Sequence, residues 1–379
     1  MILPLLVKVS KFCNLRCSYC YETPELGNRE RMSLEDLERM FIHVRDYLAS
    51  WDGGLHEHRL DLYWHGGEPF VQPISYWEDI IALETKVFGA RFAKTIHNDV
   101  QSNLTQITEA HLPLLRSHFK LGFSFDVIND LRVNVAGKST ARVVREKVEW
   151  LLAEGIQLGG IAVISKSNVK RPKAVADYFL ERGLSFRVLN VNEAYHLAQV
   201  RAAAIPYDDY LSFLRELYRL PKVRKALAQG IRVNPLFHSH QRLSSLSRAR
   251  RAEFSDREYA EREWVLAINT NGDVYSVADC YNQDFRYGNI FTQTLEEVLS
   301  SKERKRRIQR SRARMRSICS GCSQFRKTCS GVFVSHATPE EYRDYESKQE
   351  CYQSYRTRMM LDESRQMTTT EPIASAQGA

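Results

Sequence analysis
Cys13, Cys17 and Cys20 fall in the run Cys13-Asn14-Leu15-Arg16-Cys17-Ser18-Tyr19-Cys20, spaced C-x3-C-x2-C. Thiolates are soft ligands that hold zinc or iron–sulfur clusters. A stable zinc site or a fully ligated cubane takes four protein ligands. This run supplies three, and no other cysteine occurs before Cys280. The chemistry implied is a [4Fe–4S] cluster with one iron left open, able to bind and reduce a small molecule. A structural zinc knuckle is the plainer alternative.

Two further stretches carry polar groups at the ends of apolar runs. In Tyr63-Trp64-His65-Gly66-Gly67-Glu68-Pro69 the glycines allow close backbone approach, and the Glu68 carboxylate can accept charge-assisted hydrogen bonds from an ammonium. A Gly-Gly pair alone reads equally well as turn punctuation. Gln101-Ser102-Asn103-Leu104 and Gly122-Phe123-Ser124-Phe125-Asp126 end later runs, with Asp130-Leu131-Arg132 close behind. Ser124 and Asp126 alternate, so a continuous strand puts them on one face. Five late cysteines, Cys280, Cys319, Cys322, Cys329 and Cys351, stand apart from the early three. Clustering of this kind in an unsecreted chain indicates metal rather than disulfides.

The elements that position these residues alternate regularly. Strands are predicted at 5–9, 62–65, 96–101, 121–125, 161–164 and 186–190. Helices are predicted near 33–50, 74–88, 109–117, 140–154 and 171–182. Ser33 is the predicted N-cap of the first helix, with Glu35 and Asp36 in its first turn. Such alternation implies a parallel sheet with helical crossovers, in which chemistry sits at the C-terminal strand ends. The cysteine run follows the first strand directly. From 191 to 263 the pattern loosens: 207–227 reads as helical, and 241–262 is Ser/Arg-rich and poorly periodic. Apolar runs on either side of Asn271-Gly272 then predict a β-hairpin.

The 379 residues suggest about two domains, and 43% hydrophobic residues suffice for a full core. No run of about 20 apolar residues is present, so no membrane span is expected. The N-terminus lacks a basic n-region and a small-residue cleavage site, and reads as the first strand rather than a signal peptide. The net charge of +8 is concentrated in 242–262 and 302–316. Solvated helix faces account for such tracts, as does a surface for an acidic peptide. They show no aromatic interleaving and no nucleic-acid module signature.

The motifs together resemble the radical S-adenosylmethionine (SAM) enzymes. Their C-x3-C-x-aromatic-C pattern has Tyr19 in its aromatic place. The resemblance implies a partial (β/α)6 barrel. Cys13, Cys17 and Cys20 would hold a [4Fe–4S] cluster whose open iron chelates SAM, and one electron would release a 5′-deoxyadenosyl radical. Gly66, Gly67 and Glu68 match the family's GGE motif, which binds the SAM amino group. Asn103, Ser124, Asp126 and Arg132 match segments of peptide- and sulfatase-modifying members that face SAM or substrate. Here Ser102 replaces the usual Thr, while Leu104 and Val127 stand where the pattern has Gly.

The region from 263 resembles the SPASM extension of the peptide maturases. By that likeness Cys319, Cys322, Cys329 and Cys351 form the four-ligand set of one auxiliary [4Fe–4S] cluster, with a four-thiolate zinc as the alternative. Cys280 matches a first ligand of an inner cluster whose partners are missing. The expected organisation is a barrel over 1–195, a bridging helical and basic region over 196–262, a SPASM-like domain over 263–361 and a disordered tail over 362–379.

The function implied is maturation of a ribosomally made peptide. Hydrogen would be abstracted from an unactivated side-chain carbon, followed by cross-linking, with Asp126 and Asp279 as candidate bases. Formylglycine formation in a sulfatase, and epimerisation or thioether formation, are the enzymatic alternatives. A zinc- or SAM-binding module for nucleic acid or another partner is the non-enzymatic one. The partners expected are the precursor peptide and a flavodoxin- or ferredoxin-like electron donor. A reducing compartment, the cytoplasm, suits a low-potential cluster. Since the first strand begins almost at Met1, no leader-binding domain is expected before the barrel.

Overall fold
A computed structural model describes residues 2–128, 131–191, 198–237, 263, 265–276, 283–322, 325, 358–360 and 362–363. Asp279, Cys280, Cys329, Cys351, the basic stretch 241–262 and residues 364–379 of the expected tail lie outside the described residues, and so does Asp130. Asp362 and Glu363, expected in that tail, are helical instead, because the buried Glu363 carboxylate is paired with Arg219.

The strands are β1 (Ile2–Ser10), β2 (Arg59–Gly66), β3 (His97–Ser102), β4 (Phe119–Ser124), β5 (Leu158–Ile164), β6 (Ser185–Asn190), β7 (Val233–Asn234), β8 (Leu266–Ile268), β9 (Asp273–Tyr275) and β10 (Arg286–Asn289). They form one sheet in the order β10-β9-β8-β1-β2-β3-β4-β5-β6-β7. Pairing is parallel from β1 to β7, as the alternation of elements requires. β8 also runs parallel to β1 and turns at Asn271-Gly272 into antiparallel β9, so the predicted hairpin extends the barrel sheet rather than starting a separate one.

The helices are α1 (Leu34–Ala49), α2 (Ile74–Phe88), α3 (Ala90–Ala93), α4 (Leu112–Ser117), α5 (Ala141–Ala153), α6 (Pro172–Leu180), α7 (Ala198–Ala203), α8 (Tyr207–Arg219), α9 (Pro221–Ala228), α10 (Leu295–Leu299) and α11 (Lys302–Ser317). Ser33 caps α1, its hydroxyl accepting from the Asp36 N–H at 3.0 Å. The single helix expected over 207–227 is two. Pro221 opens α9, because a proline lacks the N–H that would continue α8.

The central strands alternate. Leu5, Val7, Leu60, Leu62, Trp64, Val100, Leu121 and Phe123 are buried in the core that the helices cover. Lys8, Asp61, Tyr63, His65, Asp99, Gln101 and Ser124 occupy the alternate positions, which therefore point to the opposite, concave face. That face is unusually polar for a strand interior, and it lies beneath the loops that carry the predicted site.

Candidate functional site
The cysteine loop leaves β1 at Ser10 and is clamped on both flanks. On one side Gly67 N–H donates to the Ser10 carbonyl and Glu68 N–H to the Phe12 carbonyl, both at 2.9 Å. A Cβ on Gly66 would collide with the Ser10 carbonyl, and one on Gly67 with the carbonyls of Lys11 and Phe12. The two glycines are thus needed for loop-on-loop packing, and Gly66 also adopts φ 132°. On the other side Arg16 N–H donates to the Val133 carbonyl at 2.7 Å and Ser18 N–H to the Leu131 carbonyl at 3.0 Å. The loop closes on itself through Cys13 N–H to the Leu26 carbonyl at 3.1 Å.

Cys13, Cys17 and Cys20 pack together with Leu15 and Leu26. Burial pushes the Cys13 and Cys20 thiols up to about 12, and Cys17 above its usual value. Thiols raised in this way favour ionisation when a cationic centre is bound among them. Among the described residues no three His, Cys, Asp or Glu side chains close on one point as a single ion requires. Three cysteines on one loop can each ligate a different iron of a cluster and leave a fourth iron without a protein ligand.

Glu68 is fully buried and holds the next segment in place. Its Oε1 accepts from Phe70 N–H at 3.1 Å and Ser102 Oγ at 2.8 Å, and its Oε2 accepts from Asn103 N–H at 2.6 Å. Burial raises its carboxyl, and the hydrogen bonds from Asn103, Ser102 and Phe70 oppose that rise. Each carboxylate oxygen has two lone pairs. Oε2 therefore keeps one acceptor position for a ligand ammonium. Asn103 donates from Nδ2 to Asn14 Oδ1 at 2.9 Å and lies 3.9 Å from Cys13 Sγ. The end of β3 is in this way tied to the cysteine loop.

Tyr19 reaches the opposite flank. Its hydroxyl donates to Asp126 Oδ2 and accepts from Arg132 Nη1 at 2.8 Å. Asp126 Oδ1 accepts from Val163 N–H at 3.0 Å. Burial raises the Asp126 carboxyl, opposed chiefly by the Arg132 guanidinium. Ser124 is not part of this group: its hydroxyl accepts from Gln101 Nε2 at 2.8 Å on the concave face. β4 ends at Ser124, so the alternation that would pair it with Asp126 stops two residues short.

Three residues of the concave face carried no predicted role. Lys8 and Glu22 form a fully buried ion pair. His65, register partner of Lys8, is held neutral: burial lowers it to about 4, aided by Lys8, and its Nδ1 has no hydrogen-bond partner among the described residues. Lys8 was visible in the sequence as a lone charge inside an apolar strand, and His65 as an unassigned member of the Gly-Gly segment.

A family profile described as the Radical SAM superfamily matches residues 7–179. It spans the cysteine loop, Glu68, Asn103, Asp126 and Arg132 described above. Residues 7–179 form a radical SAM domain. A second profile, SPASM, an iron–sulfur cluster-binding domain, matches residues 262–323 and includes Cys280, Cys319 and Cys322.

The serine-type anaerobic sulfatase-maturating enzyme of Bacteroides thetaiotaomicron is 23% identical over 321 residues, 77% of this chain and 73% of the relative. The cysteine-type enzyme of Clostridium perfringens strain 13 is 26% identical over 231 residues, 58% of this chain and 60% of the relative. Among solved structures, native anSMEcpe with bound AdoMet and Cp18Cys peptide superposes with TM-score 0.73 at 19% identity, covering 97% of this chain and 98% of that one. Streptococcus suis SuiB bound to precursor peptide SuiA gives TM-score 0.52 at 20% identity, over 79% of this chain and 65% of that one. These likenesses establish the fold, a radical SAM barrel with a SPASM domain.

The cofactors of this radical SAM enzyme are accordingly a [4Fe–4S] cluster, SAM and an auxiliary iron–sulfur cluster, the last favoured over zinc by the SPASM match. When bound, the first two supply reductive cleavage of the sulfonium and a hydrogen-abstracting radical. The chain's own contribution is positional. Glu68 and Asn103 hold one rim of the loop, Tyr19, Asp126 and Arg132 hold the other, and the polar concave face lies below. No helix among the described residues is long and apolar enough to cross a membrane.

Proposed function
We propose that this radical SAM enzyme matures a ribosomally made peptide, abstracting hydrogen from an unactivated side-chain carbon and closing an intramolecular cross-link. The observation that carries the peptide reading is the combination of a clamped three-cysteine loop with an extended polar concave face, under a SPASM-bearing barrel that superposes on anSMEcpe and SuiB. The cross-link, rather than formylglycine, is favoured by the cysteine set, since Cys280 stands without further inner-cluster cysteines while Cys319, Cys322, Cys329 and Cys351 make four. Sulfatase maturation is the second reading, and the curated relatives favour it.

In either chemistry Glu68 and Asn103 anchor SAM by its amino group, and Arg132 with Tyr19 orients it from the other flank. Asp126 and Asp279 are the candidate bases. Both oxygens of Asp126 are already engaged, by Tyr19 and by Val163 N–H, which suits it better to positioning Tyr19. The substrate is a peptide or protein, and the reductant an external electron-transfer protein in a reducing compartment. Mass spectrometry of a co-expressed candidate precursor tests the reading. A loss of two hydrogens within a span that resists backbone fragmentation supports a cross-link. A product that reacts with a hydrazide supports an aldehyde and overturns it.

A further inference from the structure
α11 carries one acidic residue, Glu303, among a majority of Lys and Arg. Its inner side is settled: Arg307, Ile308, Ser311 and Met315 are buried, and Arg307 lies 4.1 Å over the Phe285 ring. Lys302, Lys305, Arg306, Arg310 and Arg316 are exposed. At 3.6 residues per turn these five fall on one side of the helix, in a row about 21 Å long. Glu303 pairs with Arg306 at 2.6 Å and with Arg307. Among the described residues no carboxylate pairs with Lys302, Lys305, Arg310 or Arg316. The row ends beside two cysteines of the SPASM match. α11 stops at Ser317, a 3-10 turn spans Cys319–Gly321, Cys319 is buried, and Cys322 is half-buried.

We propose that this face of α11 is the landing surface of an acidic electron-transfer protein, which passes single electrons into the chain at its Cys319/Cys322 end. The proposal rests on the iron–sulfur chemistry of the family and adds the surface. An electron carrier has to leave after each electron, so its encounter is small in area and governed by charge. A row of long cationic side chains on a convex helix gives that kind of contact, steering an acidic partner without trapping it. A substrate peptide held for turnover is instead gripped by a groove or a strand edge, which this helix face does not provide. The electron balance is simple. The partner's reduced flavin or cluster loses one electron, an iron–sulfur cluster of this chain gains it, and no bond forms or breaks.

The test uses full-length, anaerobically reconstituted protein and an acidic flavodoxin. Calorimetry measures binding of the oxidised flavodoxin at rising NaCl, and SAM cleavage is driven in parallel by reduced flavodoxin or by dithionite. The expected wild-type affinity falls steeply with salt. In the Lys305→Glu/Arg310→Glu/Arg316→Glu variant, flavodoxin affinity and flavodoxin-driven cleavage both drop about tenfold or more, while dithionite-driven cleavage stays at the wild-type rate. Unchanged flavodoxin binding, an equal loss with dithionite, or a loss confined to precursor-peptide binding overturns the proposal. Absence of dithionite-driven cleavage in the wild type overturns the family chemistry instead, and the binding arm still reads the surface.

Discussion

Two residues at the rim of the site hold backbone conformations that suit glycine. Leu104 has φ 65° and Val127 has φ 69°, directly after Asn103 and Asp126. A non-glycine residue pays about 1–2 kcal/mol there, more when β-branched. Both side chains are buried, so packing offsets the strain. Val127→Gly is therefore expected to change stability by less than about 1 kcal/mol, whereas Val148→Gly in the middle of α5 costs about 3 kcal/mol or more. Paired thermal melts check the contrast. Glu68→Ala leaves Phe70 N–H, Ser102 Oγ–H and Asn103 N–H without their acceptor. Each such buried donor costs about 1–3 kcal/mol. We expect a lower melting temperature and at least about tenfold weaker SAM binding by calorimetry, from loss of the charge-assisted contact. Unaltered SAM affinity would remove Glu68 from the site.

Packing of α2 against the sheet contains a pH-dependent feature. Glu84 is buried with Asn98 Nδ2 donating to its Oε2 at 3.1 Å, and Asn98 in turn accepts from Trp64 Nε1 at 2.7 Å. Burial raises the Glu84 carboxyl to about 8. The folded protein therefore holds this proton more tightly than the unfolded chain, and the associated stability is greatest below about pH 4.5 and declines as pH rises through 8. Glu84→Gln keeps the acceptor and the shape while removing the ionisation. It is expected to be nearly neutral at about pH 4 and to stabilise by about 3–5 kcal/mol at pH 9. Denaturant midpoints at the two pH values decide it; equal effects at both would show that Glu84 ionises freely. His65 has the opposite slope. Its folded value of about 4 lies below the ordinary value, so the stability it confers is complete above pH 6.5 and is lost as pH falls towards 4. His65→Gln should flatten that acid limb.

For the molecule as a whole, the position of β1 matters most. It lies between β2 and β8, so the SPASM segment supplies the strand that covers its outer edge. His43 of α1 adds a second tie, its Nδ1 lying 2.7 Å from the Ile290 carbonyl. A chain ending at residue 262 would expose the β1 edge and the apolar Leu6 beside it, which invites edge-to-edge pairing. Such a truncation is expected to aggregate or to melt at a distinctly lower temperature, and size-exclusion chromatography reads the outcome. A monodisperse, fully stable fragment would mean that the barrel closes without β8.

The sequence by itself determined the alternation of strands and helices through residue 190, the cysteine loop after the first strand, the Gly-Gly-Glu segment and the Asn-Gly hairpin. All of these are written in local periodicity, spacing and turn chemistry. Tertiary structure alone decided that Gly66 and Gly67 press against Ser10 and Phe12, that Asp126 engages Tyr19 rather than joining Ser124, and that the late hairpin extends the early sheet. It also decided that Lys8, Glu22 and His65 meet inside the barrel and that β7, two residues long, adds to the far edge. Those facts depend on contacts between residues far apart in the chain. A motif's spacing fixes which atoms are available, and only the closing of the sheet fixes which of them meet.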